Sequence, residues 1–217
     1  MRDEIIQNNY EIIAVSNRKL CTEDFFECIR FAINDGADYL ILREKDLSYE
    51  DYVNFAIQTK EFADDLIRMK YNREKCRKEK KFQLILNTGN FTDITVIQNL
   101  ITETGCSNIH VPFFRLKDNR ELQGIRRITK GLLGMSVHSR EEAVLAEEYG
   151  ADYIIAGHIF QTSCKQGLIP RGLDFLKEVC ESVHIPVYAI GGMDKENAPL
   201  AVRAGAKGIC IMSGYFR

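Results

Sequence analysis

The stretch GLLGMSVHSREEAVLAEEYGADYIIAGH, residues 131–158, holds one complete strand–helix–strand unit. Residues 132–136 are a short apolar run, 140–149 an amphipathic helical stretch, and 152–156 a second apolar run. Short, continuous runs rich in Ile, Leu and Val are the mark of parallel strands covered on both faces. Between helix and second strand stands Tyr149-Gly-Ala-Asp152, where glycine ends the helix in a left-handed cap and alanine allows close packing into the strand. The unit repeats outward in both directions. Further strands are expected at 11–15, 38–42, 82–86, 108–111, 186–190 and 208–212, with helices that include 48–69 and 174–182. The same stop recurs as Asp35-Gly-Ala-Asp38 and Ala204-Gly-Ala-Lys207.

Eight strands in a βα repeat predict an α/β fold, a closed (β/α)8 TIM barrel formed as a single domain over residues 1–217. Six strands and a Gly-x-Gly-x-x-Gly turn would favour an open doubly wound sheet, and that turn is absent from the sequence. The sequence stops at Arg217, a few residues after strand eight, so the eighth helix is missing from it. The expectation is either a barrel capped another way, for example by a partner subunit, or a truncated chain.

A net charge of -2 gives no global pull toward nucleic acid or an anionic membrane. No apolar run is long enough to span a bilayer, and Met1-Arg-Asp-Glu4 carries no signal-peptide pattern, so the expected location is the cytoplasm. The seven cysteines are irregularly spaced with no Cys-x-x-Cys pair, which argues against a zinc site or a disulfide framework. Most read as small buried apolar residues; Cys164 stands apart, in the loop after His158. The charge run at residues 70–81 reads as the solvated end of helix two and its connector.

In such a barrel the active site lies at the C-terminal ends of the strands. That rule selects Arg43 and Lys45 after strand two, Asn87 at the end of strand three, and Ser136 and His138 from strand five. It selects His158 and then Lys165 and Arg171 after strand six, Gly191-Gly192 after strand seven and Ser213-Gly214 after strand eight. Imidazole is the side chain best suited to moving protons near neutral pH. The glycine-bearing loops after strands seven and eight are where barrels commonly hold phosphate on backbone N–H groups. Together these residues describe a small anionic-ligand site with a proton shuttle. Plainer readings stand beside this one. Arg43 could pair with Glu44 or another carboxylate, His138 could cap the following helix or orient another side chain, His158 could be a satisfied structural histidine, Gly191-Gly192 could be a tight turn, and His110 and His184 read as structural or surface residues.

Ile-Leu-Arg-Glu-Lys (41–45), Ser-Val-His-Ser (136–139), Gly-His-Ile-Phe-Gln-Thr-Ser-Cys-Lys (157–165), Arg-Gly-Leu (171–173), Ala-Ile-Gly-Gly-Met (189–193) and Ile-Met-Ser-Gly (211–214) resemble the thiamine phosphate synthase/TenI superfamily. Within it the chain looks like the TenI branch, whose characterised activity is thiazole tautomerase. Synthases of the superfamily carry an Asn-Asp pair after strand three and an aspartate after strand four, which hold magnesium against a pyrophosphate leaving group. Here Asn87 is followed by Thr88, and the strand-four loop reads Val-Pro-Phe-Phe-Arg (111–115). Two phenylalanines there could line an apolar wall or merely pack the loop. Synthases have proline where this chain has His158; tautomerases have histidine.

The resemblance therefore implies a metal-free, cofactor-free isomerase that aromatises a carboxythiazole phosphate. His158 would be the principal acid/base and His138 a second participant. Arg43, Lys45, Asn87, Ser136 and Lys165 would bind substrate, and Gly191, Gly192, Ser213 and Gly214 the phosphate. A thiamine phosphate synthase is the alternative, and a non-catalytic thiazole-phosphate-binding regulator a third reading of another class. The implied partner is the small-molecule thiazole phosphate, with neither nucleic acid nor membrane, and a homodimer would fit the superfamily.

Overall fold

Strand after strand, alternate side chains point to opposite faces, and here both faces are apolar. Ile13 and Val15 of the first strand face the barrel interior, with Ile41, Ile85, Ile155 and Cys210 from other strands. Ile12 and Ala14 face outward into a larger core shared with the helices. A sheet buried on both sides must be covered all round, and closure on itself with an outer ring of helices achieves that.

The computed structural model describes residues 10–74, 82–91, 93–113, 119–165 and 167–217. Its strands are β1 (Glu11–Val15), β2 (Tyr39–Leu42), β3 (Gln83–Asn87), β4 (Ile109–Pro112), β5 (Leu133–Val137), β6 (Tyr153–Gly157), β7 (Val187–Ile190) and β8 (Gly208–Ile211). Each pairs in parallel with its neighbour, and β8 returns to β1 to close the barrel. The helices are α1 (Phe25–Asn34), α2 (Tyr49–Glu74), α3 (Ile94–Thr104), α4 (Asn119–Ile128), α5 (Arg140–Glu148), α6 (Gly172–Ser182) and α7 (Ala198–Arg203), one after each of the first seven strands. Short polar residues start several of them. Asp24 accepts the Phe26 N–H, Asp93 those of Thr95 and Val96, and Ser139 that of Glu142.

The expected strand boundaries lie within one residue of those observed. The basic run extends α2 as far as Glu74; residues 75–81 lie outside the described residues. Among the described residues no helix follows β8. The residues after β8 pack back onto the barrel. A turn after β8 sends Phe216 into the core, where it is fully buried and stacks on Phe25 of α1 with ring centroids 5.6 Å apart. Beside it the Tyr215 hydroxyl donates to Asp35 at the end of α1 (2.9 Å).

Candidate active site

At the C-terminal mouth of the barrel the strand ends surround a cavity of about 380 Å³, within the range of small-ligand pockets. Arg43, Lys45, Asn87, Ser136, His138, His158, Lys165, Gly191, Gly192 and Ser213 all line it. Gly214 does not: an added Cβ there would meet Ile211 Cγ2, so that residue faces the strand it follows. The floor is apolar, from Val15, Ile41, Ile155 and Ile190.

Arg43 and Lys45 flank a carboxylate that points elsewhere. Glu44 is buried, accepts the Ser16 hydroxyl (2.6 Å) and the Arg18 backbone N–H (3.1 Å), and lies 3.9 Å from Arg18 Nε. Ser16 Oγ in turn accepts the Arg43 N–H (2.8 Å). The Arg43–Glu44 pairing is thus replaced by a link between the β1 and β2 loops, which leaves the guanidinium in the cavity wall. Tyr52 of α2 braces the neighbouring strand ends, its hydroxyl reaching the carbonyls of Leu42 (2.7 Å) and Asn87 (3.1 Å).

His158 is buried, and its Nε2 has no hydrogen-bond partner among the described residues. An orphaned buried polar atom on a cavity-lining residue is an exception that asks for a ligand or a chemical role. Its backbone is held on both sides. The His158 carbonyl accepts the Arg171 N–H (3.0 Å), and the next N–H, of Ile159, reaches the Ile190 carbonyl (2.9 Å). Gly191 makes this crossing feasible: its φ is +98°, and an added Cβ would lie 2.3 Å from His158 Cβ. Gly191-Gly192 is therefore more than a plain turn. Gly191→Ala is expected to destabilise the fold by about 1–3 kcal/mol, the cost of a strained backbone position, and to displace the imidazole; a thermal melt alongside a turnover assay checks both effects.

His138 does not cap α5. Ser139 is the cap, and Glu142 reaches back to the His138 backbone N–H (2.6 Å). The His138 ring, 3.6 Å from the Glu142 carboxylate, is held below the ordinary histidine pKa by burial first and by the Lys165 charge second. That direction favours the neutral ring. Burial, then Arg171 and Arg43, pulls Lys165 down as well. Cations crowding one another in this way favour an anionic occupant.

Sequence reasoning missed His110. It is not on the surface: it is buried inside the barrel and lines the cavity, Nε2 2.7 Å from Ser136 Oγ and Nδ1 3.1 Å from the Tyr153 hydroxyl. Period-two alternation was the available signal, since Ile109 and Val111 face the helices and must turn His110 inward. His184, by contrast, is exposed. Cys164 is exposed at the cavity rim. Phe113 packs against the helix-side core, and Phe114 lies outside the described residues.

A magnesium ion takes oxygen ligands, carboxylates above all. The described cavity wall offers imidazole, ammonium, guanidinium, amide and hydroxyl groups and no carboxylate, and no cluster of three metal-binding side chains occurs among the described residues. These residues do not fit a hard dication.

A family model described as thiamine monophosphate synthase matches residues 12–215, nearly the whole barrel. The chain belongs to that family. A thiamine-phosphate synthase of Clostridium acetobutylicum is 32% identical over 209 residues, covering 95% of this chain and 87% of the relative. One of Fusobacterium nucleatum is 30% identical over 207 residues, covering 94% and 88%. Among solved structures, a thiamine phosphate pyrophosphorylase from Pyrococcus furiosus superposes with a TM-score of 0.71 at 23% identity over 96% of this chain and 88% of that one, which shows a common fold. The family is one of thiamine-biosynthesis enzymes acting on small phosphorylated molecules. No helix among the described residues is long and apolar enough to cross a membrane.

Proposed function

We propose that this member of the thiamine monophosphate synthase family is an isomerase that aromatises a carboxythiazole phosphate by proton transfer. One observation carries the reading: His158 lines a cationic cavity whose described wall holds no carboxylate, and its buried Nε2 has no hydrogen-bond partner among the described residues. The substrate is the non-aromatic tautomer with an exocyclic double bond. His158 Nε2 takes a proton from ring carbon, electrons shift into the ring, and a proton is delivered to the exocyclic carbon. Proton count is unchanged overall, and aromatisation makes the step downhill. The neutral His138 ring can orient substrate or relay the proton. Arg43 and Lys45 attract the carboxylate and stabilise charge developing beside it. Asn87, Ser136 and Lys165 hold the ring and its substituents, and Gly191, Gly192 and Ser213 the phosphate.

The names of the relatives favour the second reading, a thiamine-phosphate synthase that joins a pyrimidine diphosphate to a thiazole phosphate, since they are about 30% identical across nearly all of this chain. Two assays on the same preparation separate the readings. The isomerase forms aromatic carboxythiazole phosphate from its tautomer, followed by ultraviolet absorbance, without added metal. The synthase releases pyrophosphate from the pyrimidine diphosphate in a magnesium-dependent reaction. Aromatisation without pyrophosphate release is the expected result; the reverse pattern replaces the isomerase with the synthase, and binding without either turnover leaves a sensor.

A further inference from the structure

Beneath the cavity three side chains form a polar chain that the proton transfer itself does not use: Tyr153 of β6, His110 of β4 and Ser136 of β5. We propose that Tyr153 and His110 are positioning residues that fix Ser136 as a hydrogen-bond donor to an anionic ligand, with the His110 proton on Nε2.

The arrangement is built by the strand between the outer two. Gly134 and Ser136 fall on one face of β5, two residues apart. Gly134 is opposite His110 on one side and Tyr153 on the other. A Cβ added to Gly134 would lie 2.0 Å from Tyr153 Cζ and 2.3 Å from its hydroxyl. The phenol therefore occupies the space a side chain would fill, and it crosses β5 to reach His110 Nδ1 at 3.1 Å. One layer higher, His110 Nε2 meets Ser136 Oγ at 2.7 Å, and Ser136 lines the cavity.

Both nitrogens of His110 are thus committed. Burial first, and the charge of Arg43 second, lowers its pKa to about 3, so the ring is neutral, with one donor and one acceptor. Burial keeps the Tyr153 phenol protonated. A phenol is a better donor than an aliphatic alcohol, so the accepting nitrogen is the one facing Tyr153. The ring proton then sits on Nε2 and is donated to Ser136 Oγ. With its oxygen occupied from below, Ser136 turns its own hydrogen toward the cavity, the side on which Arg43 and Lys165 await negative charge. The sequence Gly-x-Ser on one strand, with His and Tyr on its two neighbours, is the whole device.

The identity of the ligand rests on the proposed function; the tautomer does not. The first test is the ring nitrogen spectrum of free, ¹⁵N-histidine-labelled protein, with His110 assigned by its loss in His110→Gln. An Nε2–H pattern is expected, and an Nδ1–H pattern overturns the proposal. The second is calorimetric binding of aromatic carboxythiazole phosphate to wild type, Tyr153→Phe, Ser136→Ala and the double variant. Each single change is expected to weaken binding about tenfold, the scale of one hydrogen bond to a charged group. The double variant should bind within about twofold of Ser136→Ala, the signature of residues acting through one another. Additive losses of about a hundredfold show that Tyr153 acts elsewhere and overturn the proposal. Absence of binding by wild type removes the substrate reading and the ligand half of the proposal with it, while the ring spectrum still decides the tautomer.

Discussion

His158→Ala is expected to lower the rate of aromatisation by about 10²–10⁴-fold, the usual contribution of a positioned general acid/base, while leaving the protein folded. The two halves of that expectation have separate grounds. The rate falls because His158 lines the cavity and its Nε2 has no hydrogen-bond partner among the described residues, so none of them competes with a substrate for that nitrogen. The fold survives because the buried Nε2 of His158 has no hydrogen bond to lose among the described residues, and the loop keeps its backbone ties to Ile190 and Arg171. The loss should fall on kcat with little change in KM, since the anionic groups of the substrate are held by other residues. His138→Ala should cost less. If His158→Ala turns over as fast as wild type at an unchanged melting temperature, His158 is not the proton carrier.

The largest expected effect on stability lies after the last strand. Phe216→Ala should destabilise the chain by about 3–5 kcal/mol, the cost of emptying a fully buried aromatic site. Phe216 packs against α1, and its ring lies on Phe25, itself packed at 4.7 Å against Phe55 of α2. Urea denaturation should show a lower midpoint with an unchanged slope. Phe216→Leu, which keeps much of the volume, should lose far less. A midpoint shift no larger than that of an exposed alanine substitution would mean that Phe216 does not support the barrel's last edge.

The contrast between these two residues shows what the sequence made legible. His158 could be singled out because it directly follows an apolar strand, and the barrel rule says where strand ends go. Strand positions could be read for the same reason: continuous runs such as Ile154–Ala156 leave little choice of boundary. Phe216 could not, since its partner Phe25 is 191 residues away in sequence and nothing local marks the contact. Adjacency left Glu44 open as a partner for Arg43, whereas a strand end sends neighbouring side chains to opposite sides. His110 and Tyr153 needed the register across β5, which no single strand reveals. Gly214 was grouped with Ser213 by proximity, and of the two Ser213 lines the cavity.

The hook formed by Glu44, Ser16 and Arg18 has a consequence for recognition. Loops ordinarily have to settle around a guest, and that ordering weakens capture. Here the segment bearing Arg43 is lashed to its neighbour before any guest arrives. The freedom surrendered belongs to the folding of the barrel, so an incoming anion meets a rigid cradle.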